Sequence, residues 1–263
     1  MKLPFTQVDA FAEAPFTGNP AAVIPLDNWL PDKTLQAIAE ENNLSETAFT
    51  VPDASDEADY ELRWFTPTSE VGLCGHATLA SGHVLLGNAP AIRFRTRKAG
   101  VLTVERDGDR LALDLPVTLV EPKPIPDLAD ALGTPGAETF LSYQGAESTA
   151  VALLPDAAAV RACAPDMTRL RGIDLMAIVT APGGEEADVV SRVFAAAWGV
   201  DEDPVTGSAH AALAPFWAPR LGRNRFTAIQ ASRRGGRLDC FLDGDRVRLG
   251  GRCVTLIEGE MRL

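Results

Sequence analysis

Apolar positions along the chain follow two periodicities, one typical of strands and one typical of helices. The strand-like runs are short and fall on both sides of a proline-rich segment, residues 116–126. Before it we expect strands at Ala21–Leu26, Glu46–Val51, Tyr60–Phe65, Ile92–Arg97, Val101–Arg106 and Leu111–Leu115. After it we expect them at Ala150–Leu154, Leu175–Thr180, Ser191–Phe194, Arg225–Ala231, Arg237–Leu242, Arg246–Leu249 and Arg252–Glu260.

A helix of small apolar residues interrupts the strands once in each half. The first is predicted over Gly75–Leu86, and the second begins near Ser208. Both are apolar nearly all round, so we expect each to be enclosed by protein. A further helix is predicted from Asp32, with Leu35, Ile38 and Ala39 on its buried face.

The order of elements suggests that one unit occurs twice. The helix starts read Gly-His-Ala at 75–77 and Gly-Ser-Ala at 207–209, an acid precedes each at Glu70 and Asp203, and each half has an Asp-Gly-Asp hairpin. Alanine-rich helices also resemble one another by chance, because alanine is the best helix former. The predicted fold is α+β, with similar domains at 1–118 and 119–263 and terminal strands that can cross over. Each domain is a mainly antiparallel, barrel-like sheet around a central helix.

Composition narrows the class of protein. The 263 residues are 46% hydrophobic and 23% charged, which suits one large or two small globular domains. The 36 acidic and 24 basic residues give a net charge of −12, which disfavours nucleic acid and anionic membranes as partners. The four cysteines have no zinc-like spacing, Gln7 and Asp9 interrupt any signal-peptide core, and no apolar run is long enough to span a membrane. We therefore expect a cytoplasmic protein with reduced thiols.

The two helix starts are candidates for binding an anion. Gly75 and Gly207 let an anion approach unpaired backbone N–H groups at the positive end of a helix dipole. If the two halves face each other, both starts would hold one substrate carboxylate. Ordinary helix starts, with Ser208 as a cap, are the alternative.

Three side chains near these positions could move a proton. Glu46 lies between Leu44 and Ala48, and burial would strengthen it as a base, although the alternation does not tell which face is inside. His76 is expected to be neutral beside a helix dipole and to bind substrate or relay a proton, unless it is structural. Asp203 is either a catalytic acid or part of a solvated acidic loop.

The remaining candidates have less distinctive surroundings. At a helix start, Cys74 is expected to have a lowered pKa and to be able to act as a base; a small buried thiol is the alternative. His83 and His210 lie within the helices, and we interpret both as structural.

Several longer motifs, taken together, point to one family. The chain resembles the PhzF-like isomerases of phenazine biosynthesis, distantly related to diaminopimelate epimerase and proline racemase. The motifs that carry the resemblance are Val8-Asp9-Ala10-Phe11, Phe16-Thr17-Gly18-Asn19-Pro20-Ala21, Asn43-Leu44-Ser45-Glu46-Thr47-Ala48-Phe49, Arg63-Trp64-Phe65-Thr66-Pro67, Leu73-Cys74-Gly75-His76-Ala77-Thr78, Glu202-Asp203-Pro204-Val205-Thr206-Gly207-Ser208-Ala209, Ser232-Arg233-Arg234-Gly235-Gly236 and Gly250-Gly251-Arg252.

The resemblance implies a homodimeric, two-domain enzyme with no cofactor and no metal. It implies that Glu46 moves a proton on a small carboxylate substrate and that His76 and Asp203 assist. Ser208 and the helix starts would hold the ligand. The substrate-binding residues expected on this basis are Asn19, Ser45, Cys74, Gly75, Gly207 and Ser208.

One departure from the wider family affects the expected reaction. The epimerase relatives use a cysteine before each helix-start glycine, whereas this chain has Cys74 and Thr206 there. A threonine hydroxyl is too weak an acid to replace a thiol at neutral pH. We therefore expect a proton shift by a single carboxylate. An epimerase using Cys74 and Glu46, or a non-catalytic protein that binds a small acid, are the alternatives.

Overall fold

The chain divides into two units of similar architecture. The computed structural model describes residues 1–142 and 148–263. Unit 1 consists of Met1–Leu115 and Leu249–Leu263, and unit 2 consists of Pro116–Arg248. The C-terminal strand therefore belongs to unit 1, and the domain boundary at 118 stays a prediction.

Strands greatly outnumber helices. The strands are β1 (Lys2–Ala10), β2 (Asn19–Pro25), β3 (Glu46–Pro52), β4 (Tyr60–Phe65), β5 (Glu70–Val71), β6 (Ala91–Thr96), β7 (Val101–Asp107), β8 (Arg110–Pro116), β9 (Glu121–Pro122), β10 (Glu138–Ser142), β11 (Thr149–Leu153), β12 (Met176–Pro182), β13 (Val189–Ala195), β14 (Val200–Asp203), β15 (Arg225–Gln230), β16 (Gly236–Asp243), β17 (Arg246–Gly251) and β18 (Cys253–Arg262). The helices are α1 (Asp32–Asn42), α2 (Gly75–Leu85), α3 (Pro126–Ala131), α4 (Ala157–Ala162), α5 (Met167–Leu170) and α6 (Gly207–Leu221), with a 3-10 turn at Ala196–Trp198.

Unit 1 has a mixed sheet whose pairings follow a definite order. Strand β1 pairs antiparallel with β18 and β2, and β2 pairs parallel with β3. Strand β4 pairs antiparallel with β3 and β5 but parallel with β6, and β6 and β7 form a hairpin. The parallel pairs arise where α1 and α2 carry the chain across the sheet, because parallel neighbours need a long connection.

Unit 2 repeats this order. Strand β11 pairs antiparallel with β10 and parallel with β12; β13 pairs antiparallel with β12 and β14 but parallel with β15, and β15 and β16 pair antiparallel. Chance similarity between two alanine-rich helices would not reproduce this sequence of pairings. The duplication predicted from the sequence is therefore the better explanation, and the two-domain α+β fold is confirmed.

The central helix of each unit is buried, as the all-round apolar pattern predicted. Residues 75–82 of α2 are buried, and the helix contacts β1, β2, β3, β7 and β18. In α6, Phe216 packs edge-on against Phe140 of β10, and Trp217 Nε1 donates to Thr180 Oγ1 of β12 at 3.1 Å. Small side chains let the strands approach these helices closely: at Gly82 an added Cβ would lie 2.5 Å from Val104 Cγ1.

Two central strands, β1 and β10, were not predicted from the sequence. Strand β1 contains Pro4, which cannot donate to a neighbour and argues against a central strand. The structure resolves the conflict, because β2 pairs with β1 only from Thr6 onward and Pro4 lies where β18 is the partner. Among the described residues, no helix combines the length and the apolar composition that a membrane span requires.

Candidate active site

Strand β3 presents Glu46 beside α2. Helix α1 ends in a left-handed turn at Asn43, whose N–H donates to Ala39 O at 3.1 Å, and Asn42 Nδ2 donates to Thr47 Oγ1 at 3.0 Å. These bonds fix the first residues of β3. Phe49 packs with the core under α1, whereas Glu46 reaches α2, so both faces of β3 are covered by protein. This double coverage explains why alternation alone could not tell which face was inside.

Glu46 and His76 form a close, shielded pair. His76 is the second residue of α2, and its Nε2 lies 3.1 Å from Glu46 Oε2. Both atoms are buried and make no hydrogen bond elsewhere in the described residues, while 17% of the Glu46 side chain is exposed. On the other side of the ring, Asn19 Nδ2 lies 3.1 Å from His76 Nδ1 and Cys74 Sγ lies 3.6 Å from it.

The charge state of His76 differs from the sequence expectation. Burial alone would lower its pKa, but the electrostatic attraction of Cys74 and Glu46 raises the pKa of His76 well above 6.5. We attribute the net rise to Glu46, whose carboxylate lies within hydrogen-bonding distance. The helix dipole, which led us to expect a neutral ring, is outweighed by this closer charge.

The expectation for Cys74 is also wrong. Burial, together with the negative charge of Glu46, raises the pKa of this thiol to about 11. Cys74 is therefore a protonated thiol at neutral pH, and the helix start does not make it a ready base. Because that thiol is uncharged, it does not compete with Glu46 in stabilising a charged His76.

The start of α6 holds a second carboxylate, Asp203. Its Oδ2 accepts a hydrogen bond from Thr206 Oγ1. Gln230 of β15 braces the loop between them, since its Nε2 donates to Asp203 O at 2.7 Å and its Oε1 accepts from Thr206 N at 2.9 Å. Sequence reasoning missed Gln230, because no local pattern connects it with a loop more than twenty residues earlier.

Ser208 does not cap α6. The N-cap residue is Thr206, whose side chain turns to Asp203 instead of the helix, and Ser208 is half-buried at the second helical position. Cys74 likewise makes no side-chain cap at α2, so neither helix has its first N–H groups taken up by its N-cap side chain. His210 Nδ1 donates to Thr206 O at 2.8 Å, and burial lowers its pKa to about 4.

Strand pairing defines which residues of the two units are equivalent. Strands β3 and β4 of unit 1 correspond to β12 and β13 of unit 2. Thr47 pairs with Phe65 in the first pair of strands, and Ala177 pairs with Phe194 in the second, so Thr47 is equivalent to Ala177 and Phe65 to Phe194. The same register makes Val71 the counterpart of Asp203, and Glu70 the counterpart of Glu202. Glu70 and Asp203, the acids noted before the two helix starts, are therefore not equivalent, because Glu70 lies five residues before Gly75 and Asp203 lies four residues before Gly207. Met176 is the counterpart of Glu46.

The short strands β5 and β14 are each held in place by an arginine, to which the sequence analysis assigned no role. Arg63 forms two hydrogen bonds to Glu70, at 2.8 and 2.9 Å, and lies over the Phe65 ring. Arg192 forms two to Glu202, at 2.7 and 3.1 Å, and lies over Phe194. The repeated pattern Arg-x-Phe was the available signal.

The site also contains three side chains that could bind a metal ion, those of Glu46, Cys74 and His76. Their ligand atoms lie within 4.8 Å, and carboxylate, thiolate and imidazole are groups that zinc accepts. The ring orientation does not favour a shared ion, however, because Nε2 faces Glu46 while Nδ1 faces Cys74. The arrangement fits a proton-sharing pair better than a three-ligand metal centre.

The predicted site residues therefore fall into two groups. Unit 1 brings Glu46, His76, Cys74 and Asn19 together, with Ser45 and Gly75 next to them in the chain. Unit 2 holds Asp203, Gly207 and Ser208 at the start of α6. That one substrate meets both groups stays a prediction.

Comparison with known proteins agrees with this architecture. The model of the family described as phenazine biosynthesis-like protein, PhzC-PhzF, matches residues 8–259. An uncharacterized isomerase of Pseudomonas aeruginosa is 48% identical over 268 residues, and the match covers 100% of both chains. The crystal structure of a PhzF-family protein of Enterococcus faecalis has a TM-score of 0.91 at 43% identity and covers 100% of both chains. A hydroxyproline epimerase from Agrobacterium vitis, at 13% identity and a TM-score of 0.64 over 98% of this chain and 92% of its own, shares the fold.

Two similar sheet units, each built around a buried helix, define the epimerase-type fold, and relatives named isomerases that match over the whole chain show the class of protein to be an isomerase. The chain belongs to the PhzC-PhzF family of phenazine biosynthesis-like proteins.

Proposed function

We propose that this isomerase shifts a proton on a small carboxylate substrate without a cofactor, with Glu46 as the group that takes and returns the proton. Asp203 and His76 orient the substrate or relay protons, and the backbone N–H groups at Gly75 and Gly207 bind the substrate carboxylate. The contact between Glu46 and His76, 3.1 Å apart and shielded from water, carries the proposal.

The geometry of Glu46 suits a base. Oε2 is buried against His76, whereas Oε1 makes no hydrogen bond in the described part of the chain and is the oxygen left for a substrate. His76 holds the carboxylate in one orientation, and Asn19 holds the ring. Because an amide can present its oxygen or its nitrogen after a half-turn, Asn19 can bond either protonation state of His76.

The reaction needs charge stabilisation as well as a base. When Glu46 removes a proton next to the substrate carboxylate, an electron pair moves toward that carboxylate and forms an enolate-like species. Backbone N–H groups at a helix start stabilise such charge, and the N-cap side chains of α2 and α6 do not occupy them. The protonated Glu46 then returns the proton to another carbon, which completes the isomerisation.

An epimerase is the second candidate, because Cys74 Sγ lies 3.6 Å from His76 Nδ1 and a thiol–imidazole contact can generate a nucleophile or a base. The pKa of Cys74, raised to about 11, argues against it. The homodimer, the cytoplasmic location and the absence of a cofactor also belong to the proposal. Their support is the family resemblance, together with four cysteines that are free in this structure.

Substrate-dependent deuterium exchange tests the proposal. Small 2-amino, 2-hydroxy and unsaturated carboxylates are incubated with the enzyme in D2O, and deuterium in the recovered acid is measured by mass spectrometry. For any acid that the wild type labels, Glu46→Gln should abolish labelling and Asp203→Asn should slow it by about a hundredfold or more. Glu41→Gln removes an exposed carboxylate of α1 and is the matched control. Labelling by Glu46→Gln at the wild-type rate would remove Glu46 from the central role.

A second measurement needs no substrate. In Glu46→Gln the carboxylate that raises the pKa of His76 is gone, while the burial that lowers it remains. The pKa of His76, followed by NMR of the imidazole carbon protons, should therefore fall below 6.5. An unchanged pKa would show that the two side chains do not interact in solution.

A further inference from the structure

We propose that unit 1 carries a binding site for a small anion, with a carboxylate or phosphate group, in a cavity between β4, β5 and the turn after β6. The cavity has a volume of about 110 Å³, enough for several water-sized groups. Its lining includes Arg63, Trp64, Glu70, Gly72, Arg97 and Lys98. None of the residues of the Glu46–His76 group lines it.

The charge of the cavity favours an anion. Its lining has three basic side chains, Arg63, Arg97 and Lys98, against one acid, Glu70. This excess of positive charge occurs in a chain whose net charge is −12. Arg63 is bonded to Glu70 and to Asp32, and Arg97 also pairs with Glu70, so Lys98 is the lining cation that has no acidic partner among the described residues.

The hydrogen-bonding groups around the cavity are mostly donors without acceptors. Lys98 Nζ makes no ion pair or hydrogen bond within residues 1–142 or 148–263. Arg97 uses only Nη1, 3.2 Å from Glu70 Oε2, which leaves its other N–H groups available. Trp64 Nε1 is buried and has no acceptor among the described residues. Carboxylate and phosphate oxygens are the acceptors that such donors bind best.

The equivalent position in unit 2 shows what closes such a space. The register of β4 with β6 and of β13 with β15 makes Lys98 the counterpart of Ser232, and Gly72 the counterpart of Pro204. In unit 2, Ser232 Oγ donates to Pro204 O at 2.8 Å and ties the hairpin to the loop before α6. In unit 1 the stem of Lys98 only packs over Gly72, where an added Cβ would lie 3.1 Å from Lys98 Cδ.

NMR of the indole N–H groups provides the test. Inorganic phosphate is added to 15N-labelled wild-type protein at constant ionic strength, with Trp64→Phe used to assign the Trp64 signal. We expect the Trp64 signal to shift and saturate with a millimolar Kd, while the signal of Trp217 in unit 2 stays in place. A parallel titration with malonate distinguishes a carboxylate from a phosphate ligand by their affinities. Absence of a saturable shift with both anions would overturn the proposal.

Variants locate the site. Lys98→Gln should weaken binding about tenfold, because it removes one charge-assisted bond. Arg93→Gln removes the same charge from an exposed position on β6, the strand before the Lys98 turn, and should leave the affinity unchanged within about twofold. Gly72→Ala should weaken binding without changing charge, because it crowds Lys98. The indole signal of Trp29, whose Nε1 donates to Glu61 Oε2 in unit 1, reports whether the mutated unit of each variant is folded.

The proposal does not depend on the proposed function. Glu46→Gln should bind phosphate and malonate as the wild type does. Loss of anion binding in Glu46→Gln, or an equal loss in Lys98→Gln and Arg93→Gln, would place the anion elsewhere and contradict the cavity.

Discussion

The starts of α2 and α6 occupy equivalent places in two units with the same strand order, yet they carry different side chains. Both have the helix-start glycine and an arginine bound to a glutamate on the short preceding strand. They differ where chemistry is possible. Glu46 in unit 1 corresponds to Met176 in unit 2, and Val71 in unit 1 corresponds to Asp203 in unit 2.

This comparison separates the residues that the two units share, which build the scaffold, from the residues that differ, which include the proposed catalytic groups. Each proposed functional carboxylate corresponds to an apolar residue at the equivalent position of the other unit, so neither unit carries both. His76 and Ser208 are equivalent second residues of their helices, as are Cys74 and Thr206 as N-caps. The shared architecture thus supplies two helix starts, and the differences between the units supply the residues of the proposed mechanism, Glu46, Asp203 and His76.

The largest effect that we expect concerns the shared arginine–glutamate pairs. The Arg63 side chain is only 3% exposed, contacts the rings of Trp29 and Phe65, and binds Glu70 through two hydrogen bonds. Arg63→Ala removes this buried packing and leaves Glu70 with the more exposed Arg97 as its cation, and it should lower the free energy of unfolding by about 3 kcal/mol. Arg192→Ala should cost less, because that side chain is 14% exposed and lies over one ring.

Urea unfolding followed by circular dichroism measures both costs. Arg161→Ala, which breaks an exposed ion pair with Glu186, is the control and should cost less than about 1 kcal/mol. If Arg63→Ala were no worse than Arg161→Ala, the buried pair would not be part of the common scaffold.

The second-largest expected effect is a pH dependence of stability that arises at one pair of equivalent residues in the two helices. Thr78 in α2 and His210 in α6 both bond the carbonyl of the N-cap residue, but only His210 titrates. Burial lowers its folded-state pKa from 6.5 to about 4, so the unfolded chain binds more protons between these values. Stability from this group is complete above pH 6.5 and falls by about 3 kcal/mol as the pH drops to 4.

His210→Thr places the unit 1 residue in unit 2 and isolates this contribution. The variant keeps a side chain that can bond Thr206 O, and its unfolding free energy should depend less steeply on pH between 6.5 and 4 than that of the wild type. The comparison concerns the slope and not the absolute stability, since the smaller side chain also leaves a cavity. Equal slopes would mean that His210 is not held neutral by burial.

The sequence predicted local elements well and long-range contacts poorly. Strand β4 begins and ends where the alternation predicted, and α1 buries Leu35, Ile38 and Ala39 as its period required. Periodicity reports which face of an element is buried, but not which distant strand lies beside it. The braces Arg63–Glu70 and Gln230–Asp203 depend on pairings across the sheet, and sequence reasoning missed both.

The residues of the candidate site could be predicted from the sequence, but their protonation states could not. Motif resemblance selected Glu46 and His76, and the structure brings them to 3.1 Å. The protonation states expected for His76 and Cys74 were wrong, because they were argued from the helix dipole alone. A neighbouring carboxylate and complete burial affect the pKa of a side chain more strongly than a helix end does.

The smallest effect should come from Cys74, the position at which the two units and the two candidate reactions differ most directly. Its counterpart is Thr206, so a mechanism with a thiol on each side is not available to this chain. With the pKa of Cys74 raised to about 11, almost no thiolate exists at neutral pH. Cys74→Ala should therefore cost about 1 kcal/mol of stability and leave the rate of deuterium exchange within about threefold of the wild type.

Exchange and thiol labelling together decide the role of Cys74. Cys74 in the folded wild type should react with iodoacetamide far more slowly at pH 7.5 than the same thiol in the urea-unfolded chain, because labelling requires the thiolate and access to it. Cys163→Ala removes another buried thiol, in unit 2, and is the matched control for the exchange rate. A hundredfold loss of exchange in Cys74→Ala, with Cys163→Ala unaffected, would make the thiol a base after all. The epimerase mechanism would then replace the single-carboxylate proton shift, with one of Cys74 and Glu46 removing the proton from the substrate carbon and the other delivering a proton to its opposite face.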